Sequence, residues 1–221
     1  NISWDFLSKI VMISFIALQF IRWDMLLESM DIYYHLLTAW GFIQAGGYSS
    51  WDFWQYAPVG RIHIYPPFFH LILAAFIKLG VKQIILAKLC EVLLPWVFLC
   101  VLWYFIKVHY SRRLGLFVVL VFFSPFSFYL SLLNHIPATL ALIFGILSLD
   151  QLFKNKLLRS ALLLGLCFYT HIGLPWFFLL AFILYGLLNK EIRREALFVA
   201  FLSFILALPM LIQEFNGLKS I

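Results

Sequence analysis

Charged residues are what this sequence has least of. Only 12% of its residues are charged, whereas 64% are hydrophobic. A soluble domain has about a quarter charged residues and about half apolar residues. Long apolar runs recur along the whole chain, and runs of that length need lipid around them. The composition therefore excludes a soluble domain and predicts an integral membrane protein.

Cysteine is also scarce, with three in 221 residues. Cys90, Cys100 and Cys167 all lie inside apolar runs. Their spacing gives neither a set of metal ligands nor a disulfide framework. We interpret them as small residues of the protein interior.

Acidic residues are fewer than basic ones, 10 against 16, and the net charge is +6. A positive chain can bind nucleic acid, but here the basic residues form short clusters between apolar runs. Such clusters mark the cytoplasmic side of a membrane protein. We therefore expect no nucleic-acid partner. The clusters are Lys107, Arg112 and Arg113; Lys154, Lys156 and Arg159; and Lys190, Arg193 and Arg194.

The apolar runs predict an all-α, polytopic helical bundle of about seven spans. The predicted spans are 10–27, 84–106, 114–132, 136–153, 158–171, 174–188 and 196–212. We expect residues 1–221 to form one transmembrane module. Because the chain begins at Asn1 and stops just after an apolar run, we expect it to be the N-terminal part of a longer protein.

Residues 67–79 decide the topology. As a helix this run would be about 20 Å long, short of a hydrocarbon core of about 30 Å. We therefore place it at one interface, which puts the three basic clusters on the side of Lys9. The positive-inside rule makes that side the cytoplasm. The loop 28–82 then faces the outside or a lumen. If 67–79 crossed the membrane, the loop would share a side with the clusters.

The first part of this loop predicts a surface helix that starts at Asp31 and ends at Gly46-Gly47. Apolar residues recur there at near-helical spacing, at Ile32, Leu36, Trp40 and Ile43. Asp31 and His35 are four residues apart and share a helix face, so together they suit a divalent cation or a proton transfer. The alternative is that Asp31 only caps the helix.

Other polar residues of this side have two interpretations each. Arg61 suits a lipid phosphate, or is an ordinary interfacial arginine. His135 suits a second metal ligand or a lipid head group, or caps a turn. His171 lies at a helix break, where a polar group often satisfies only the backbone. His63 and His70 are equally ambiguous, and we assign no role to either.

The loop carries a resemblance to a known class of enzymes. Asp31-Ile32-Tyr33-Tyr34-His35 matches a D-x-x-Y-H pattern. Tyr56-Ala57-Pro58-Val59-Gly60 and Tyr65-Pro66-Pro67-Phe68-Phe69-His70 are similar to the second half of the same loop. The chain resembles the GT-C class of membrane glycosyltransferases, most of all oligosaccharyltransferase catalytic subunits and their prokaryotic relatives. The likeness covers most of the chain in topology and about 40 residues by motif.

The resemblance implies roles for individual residues. Asp31 would be catalytic, either by holding a divalent Mg or Mn ion or by activating the acceptor. Tyr34, His35, Arg61 and His135 would bind substrate, and His135 would join Asp31 at the metal. The family normally has an acidic residue in the second external turn, where this sequence has Asn134 and His135.

The implied reaction moves a sugar from a polyprenyl-phosphate-linked donor to a protein, lipid or glycan acceptor at the outer or lumenal face. We expect the cell membrane of a prokaryote rather than the endoplasmic reticulum. One alternative is a non-catalytic membrane scaffold of the same fold. Another is a transporter of lipid-linked substrates, which would need inverted repeats and polar residues at mid-membrane; no internal repeat is evident.

Overall fold

The computed structural model describes residues 3–25, 30–122, 132 and 134–219. Within that part, the protein is helical apart from one short β-ribbon and its connections. The helices are α1 (Trp4–Ile21), α2 (Asp31–Gln44), α3 (Phe68–Lys78), α4 (Gln83–His109), α5 (Arg112–Phe122), α6 (Ile136–Phe153), α7 (Leu157–Phe168), α8 (Leu174–Leu188) and α9 (Arg193–Lys219). The strands β1 (Trp51–Asp52) and β2 (Arg61–Ile62) are antiparallel.

Among the described residues, four helices are long and apolar enough to cross a membrane: α1, α4, α6 and α9. The prediction of an all-α chain is confirmed, and these four helices are the ones that could span a membrane. The other three predicted spans are not among these four. The spans predicted at 158–171 and 174–188 are α7 and α8, with 12 and 15 residues. The span predicted at 114–132 extends beyond α5 into residues outside the described part.

The first span begins earlier than predicted, at Trp4 instead of residue 10. The reason is local. The Ser3 hydroxyl caps the helix by accepting a hydrogen bond from the Phe6 amide at 3.2 Å. Asp5 lies in the first turn, where a carboxylate favours the positive helix end, and it pairs with Lys107 at 2.9 Å. Polar residues at the start of the run therefore belong to the helix.

The core consists of three apolar clusters. Phe15, Leu99 and Val119 join α1, α4 and α5. A second cluster joins α2, α3 and α4 through Ile32, Leu73 and Ala87. A third joins α6 to α9 and contains several small residues, as expected where helices approach closely in lipid. Its buried members are Ala141, Leu152, Ala161, Leu164, Cys167, Phe182, Ala196, Val199 and Ala200.

The polar residues are concentrated at the two ends of the bundle. At one end, the start of α1 meets the end of α4 through Asp5 and Lys107, and the end of α6 meets α4 through Asp150 and His109. The turn before α9 joins them there, because Asn155 and Asn189 line one cavity. This end therefore carries basic residues of all three clusters.

At the opposite end lie α2, α3, the ribbon and the turn between α7 and α8. The Phe68 amide donates to the Tyr169 carbonyl at 2.8 Å, which ties the start of α3 to that turn. Gln213, near the end of α9, donates to the His63 carbonyl at 2.6 Å. Helix α4 is about 40 Å long and separates the two ends.

Candidate functional site

A chain of polar side chains begins at the first turn of α2 and continues into α3. His35 Nε2 lies 3.0 Å from Asp31 Oδ2, and His35 Nδ1 lies 2.8 Å from His70 Nε2. His35 and His70 are fully buried, whereas the Asp31 side chain is 36% exposed. Asp31 is therefore the solvent-facing end of a hydrogen-bonded chain whose other two members, His35 and His70, are buried imidazoles.

The hydrogen-bond pattern assigns the protons in this chain. A carboxylate only accepts, so His35 Nε2–H donates to Asp31. In the neutral form of His35, Nδ1 then accepts from His70 Nε2–H. His70 Nδ1 is left with an unprotonated lone pair. These two hydrogen bonds hold Asp31 Oδ2 in place and fix the tautomers of both histidines.

A second aspartate–histidine pair comes from the ribbon. His63 follows β2, and its Nδ1 lies 3.9 Å from Oδ2 of Asp52, which belongs to β1. Asp52 Oδ1 accepts from the Gln55 amide at 3.0 Å. The His63 and His70 ring centroids are 5.6 Å apart. The two pairs therefore form one cluster, Asp31–His35–His70–His63–Asp52, which we call the histidine cluster.

Two nitrogens of this cluster have no partner. His70 Nδ1 and His63 Nε2 are buried, and neither makes a hydrogen bond within the described part of the chain. Burial lowers the pKa of His63 to about 4, with Arg61 adding to the effect. Burial, reinforced by His35 and His63, also lowers the pKa of His70 well below its usual value. Both side chains are therefore neutral at pH 7.

Aromatic rings enclose the cluster. The Tyr34 ring lies 4.9 Å from His35 and 5.8 Å from Tyr65, measured between centroids. Phe69 packs on His35 from α3, at 5.3 Å. Burial raises the pKa of Tyr34 to about 12, although its hydrogen bond to Thr38 opposes the shift. Tyr34 is therefore a neutral phenol beside the imidazoles.

His171 approaches Asp31 from the turn between α7 and α8. Its Nδ1 accepts from the amides of Gly173 and Leu174, at 3.0 and 3.2 Å, and so caps α8. The backbone role predicted for His171 is confirmed, and the same bonds leave the proton on Nε2. Burial lowers the pKa of His171, His135 adds to this, and Asp31 opposes it. His171 is therefore an electrostatic neighbour of both.

The predicted site residues fall into two groups. Asp31, Tyr34 and His35 lie together, and exposed His135 acts electrostatically on His171, as Asp31 does. Arg61 lies at the far end of the cluster. It pairs with Asp52 in the ribbon register, and its guanidinium stacks 3.6 Å above the Tyr56 ring. Arg61 is thus placed beside Asp52 instead of Asp31.

Sequence reasoning assigned no role to His63 and His70, which occupy the centre of the cluster. The sequence signal that pointed to them was the concentration of histidine in one loop, because three of the six histidines lie in residues 28–82. That signal does not show which of them meet. His70 meets His35 because α3 packs on α2, and His63 meets His70 because the ribbon folds back over α3.

The described residues contain no group of three or more His, Cys, Asp or Glu side chains arranged to hold a metal ion. Mg²⁺ and Mn²⁺ prefer several oxygen ligands, and Asp31 is a single carboxylate whose Oδ2 is already bonded to His35. The Asp31–His135 pair therefore does not by itself fit an Mg or Mn site, and that metal site stays a prediction.

Comparison of the chain with protein-family models, with curated proteins and with solved structures gives no match. The geometry of the histidine cluster and the motif residues of the loop are therefore the features from which a function is inferred.

Proposed function

We propose that this protein is a glycosyltransferase of the GT-C type, which moves a sugar from a polyprenyl-phosphate-linked donor to an acceptor at the outer or lumenal face. One observation carries the proposal. Asp31 is a partly exposed carboxylate, held by buried imidazoles, at the end of the bundle opposite the basic clusters. A base that meets a water-borne acceptor beside the membrane needs that placement.

In this reaction Asp31 acts as the general base. His35 occupies Oδ2, which leaves Oδ1 for the acceptor. The acceptor hydroxyl or amide gives its proton to Asp31 while its oxygen or nitrogen bonds to the anomeric carbon. The bond from that carbon to the phosphate oxygen breaks, and the polyprenyl phosphate leaves with the electron pair.

The leaving phosphate needs donors or positive charge. Because the Gly173 and Leu174 amides donate to His171 Nδ1, its Nε2–H remains as a donor, and Asp31 is close enough to act on His171 electrostatically. His135 is the exposed imidazole beside it. We assign the phosphate to these two histidines, and we place Arg61 outside the reacting centre because it stacks on Tyr56 near Asp52.

An apolar cavity offers a place for the donor's lipid chain. It has a volume of about 320 Å³ and lies between α3 and α4. Phe69 lines it and also packs on His35, so the cavity adjoins the histidine cluster. Because the bilayer around an isoprenoid chain is already apolar, such a cavity would hold the chain by van der Waals packing and not by the hydrophobic effect. In this proposal α5, α7 and α8 complete a seven-span module in the cell membrane of a prokaryote.

The test compares Asp31→Asn with Asp24→Asn, an exposed aspartate after α1 that lies outside the cluster. Membranes containing each variant receive polyprenyl-phosphate-linked radiolabelled hexoses and water-soluble acceptors. We expect transfer with wild-type and Asp24→Asn membranes, and loss with Asp31→Asn at unchanged protein level. Equal transfer by all three would remove Asp31 from the mechanism, and no transfer by any would favour the scaffold.

A further inference from the structure

The tip of the β-ribbon exposes a group of large apolar side chains that sugar transfer does not use. Trp51, Phe53 and Val59 are 40%, 55% and 77% exposed, and Tyr56 beside them is exposed as well. An exposed apolar patch of this kind marks a contact with a membrane or with another molecule. We propose that this tip, residues 51–61, is an anchor that binds the phospholipid headgroup region of the membrane surface opposite the basic clusters.

The position of the ribbon along α9 gives its depth in the membrane. Helix α9 has 27 residues, and about 20 of them, counted from Arg193, fill a hydrocarbon core of about 30 Å. The far boundary of the core then lies near Gln213, and polar side chains return there at Glu214 and Asn216. Because Gln213 Nε2 donates to the His63 carbonyl at 2.6 Å, the ribbon is held at the level of the membrane surface.

Two further contacts hold the ribbon at the same level. The chain after β2 packs directly on the α9 backbone at Gly217, where a Cβ atom would lie 2.2 Å from Ile64 and 3.3 Å from Ile62. Tyr48, which precedes the ribbon, donates its hydroxyl hydrogen bond to Gln213. Both ends of the ribbon are therefore fastened to the last two turns of a helix that could span the membrane.

A cavity of about 420 Å³ lies between the ribbon and α9. Trp51 and Ile212 give it apolar walls, and Ser50 and Asn216 give it polar ones. A phospholipid changes from a polar headgroup to an apolar chain at this depth of a bilayer. The mixed lining therefore suits the part of a phospholipid where its headgroup meets its chains.

The charges at this level favour lipid phosphates. The Arg61 guanidinium stacks 3.6 Å above the Tyr56 ring, and this stacking leaves the edge of the guanidinium to donate to a phosphate. Lys219 is an exposed cation in the last turn of α9. Of the acidic side chains nearby in the described structure, Asp52 is buried and Glu214 is half-buried. The exposed charge of this surface is therefore positive.

The tip is already folded into the shape that would meet the lipid. Trp51 Nε1 donates to the Val59 carbonyl at 3.1 Å, and the Gly60 amide donates to the Tyr56 carbonyl at 2.6 Å. A Cβ atom at Gly60 would lie 2.2 Å from the Trp51 ring, so glycine is what allows the ring to close the loop. Tryptophan and tyrosine are enriched at membrane–water interfaces, and a preformed loop loses little conformational freedom on binding.

The experiment measures the depth of the tip in vesicles of phosphatidylcholine and phosphatidylglycerol that contain the full chain. Val59→Cys, Lys190→Cys and Phe201→Cys each carry a nitroxide label at an exposed position of the tip, the basic end and α9. The wild-type chain, whose cysteines lie within α4 and α7, gives the labelling background. Collisions with oxygen and with a water-soluble nickel chelate report the depth. We expect position 59 to lie about 5–10 Å below the headgroup surface, position 190 in water and position 201 in the hydrocarbon.

A second substitution tests whether the apolar side chains set this depth. Phe53→Ser should move the label at position 59 outward, toward the nickel accessibility of position 190. Leu37→Ser removes an equally exposed apolar side chain from α2 and should leave the label where it was.

The proposal is overturned if position 59 of the wild-type tip is as open to nickel as position 190, which would make the tip a surface for a water-soluble partner. It is also overturned if Phe53→Ser leaves the label in place, or if Leu37→Ser moves it as far. Because no sugar donor is present, these outcomes are independent of the glycosyltransferase proposal.

Discussion

Two aspartate–histidine clusters lie at opposite ends of this protein, and they differ in how completely their polar atoms are satisfied. At the basic end, Asp150 Oδ1 lies 2.9 Å from His109, and Oδ2 accepts from Lys154 and Gln151, both at 2.8 Å. At the other end, the histidine cluster joins two carboxylates and three imidazoles but leaves two buried nitrogens without partners.

The two clusters differ in the exposure and bonding of their carboxylates. Asp150 is buried and both of its oxygens are bonded. Asp31 is partly exposed, and no lysine or arginine is paired with it in the described structure. Buried polar atoms without hydrogen bonds cost stability, and in the described part of the chain His63 Nε2 and His70 Nδ1 share that state with Asp5 Oδ1 and Glu195 Oε2.

The largest expected difference is in activity. Asp31→Asn keeps the size of the side chain but removes the base, so we expect sugar transfer to fall by about 10³-fold. Its free energy of unfolding should change by less than about 1 kcal/mol, because Asp31 is partly exposed. Transfer assays and denaturant titrations of the same preparations measure both. A stability loss that accounts for the lost transfer would contradict the assignment.

Asp150→Asn should lower the free energy of unfolding and leave sugar transfer unchanged. It leaves Lys154 and His109 without their counter-ion in a largely buried position, and we expect a loss of about 3 kcal/mol in the free energy of unfolding. The folded fraction should transfer sugar at the wild-type rate, because Asp150 lies at the other end of α4. Detergent-denaturation curves test the stability. Lost transfer in fully folded protein would show that the two clusters are coupled.

His171→Asn separates two roles of His171, the cap of α8 and the proposed proton donor to the leaving phosphate. Asparagine still accepts hydrogen bonds from the amides that begin α8, so the helix cap is retained. The proton donor on Nε2 is lost, and we expect transfer to fall by about 10²-fold. The Michaelis constant and the turnover number should be measured separately. An unchanged turnover number would assign His171 to capping alone.

Arg61→Lys should have the smallest effect. Lysine keeps the positive charge beside Asp52 but loses the flat stacking on Tyr56, which is worth about 0.5–1 kcal/mol. We expect transfer within about threefold of wild type, measured at saturating donor. A fall of more than about 100-fold would place Arg61 at the leaving phosphate, as the sequence resemblance implies.

Part of the candidate site could be predicted from the sequence because it depends on one helix. The D-x-x-Y-H pattern places Asp31 and His35 one turn apart, and α2 begins and ends within two residues of the predicted bounds. The assignment of His63 and His70 could not be reached in this way. His35 and His70 are 35 positions apart, and their meeting requires the ribbon and α3 to fold back against α2.

The sequence by itself determined that this protein is helical and belongs in a membrane, because long apolar runs with few charges are stable only in lipid. It also determined that the basic residues separate the spans. Only the tertiary structure decided that two aspartates and three histidines from α2, α3, β1 and the segment after β2 form one cluster around buried imidazoles. Helix periodicity acts over a few residues, whereas contacts between distant segments depend on packing of the whole loop against the bundle.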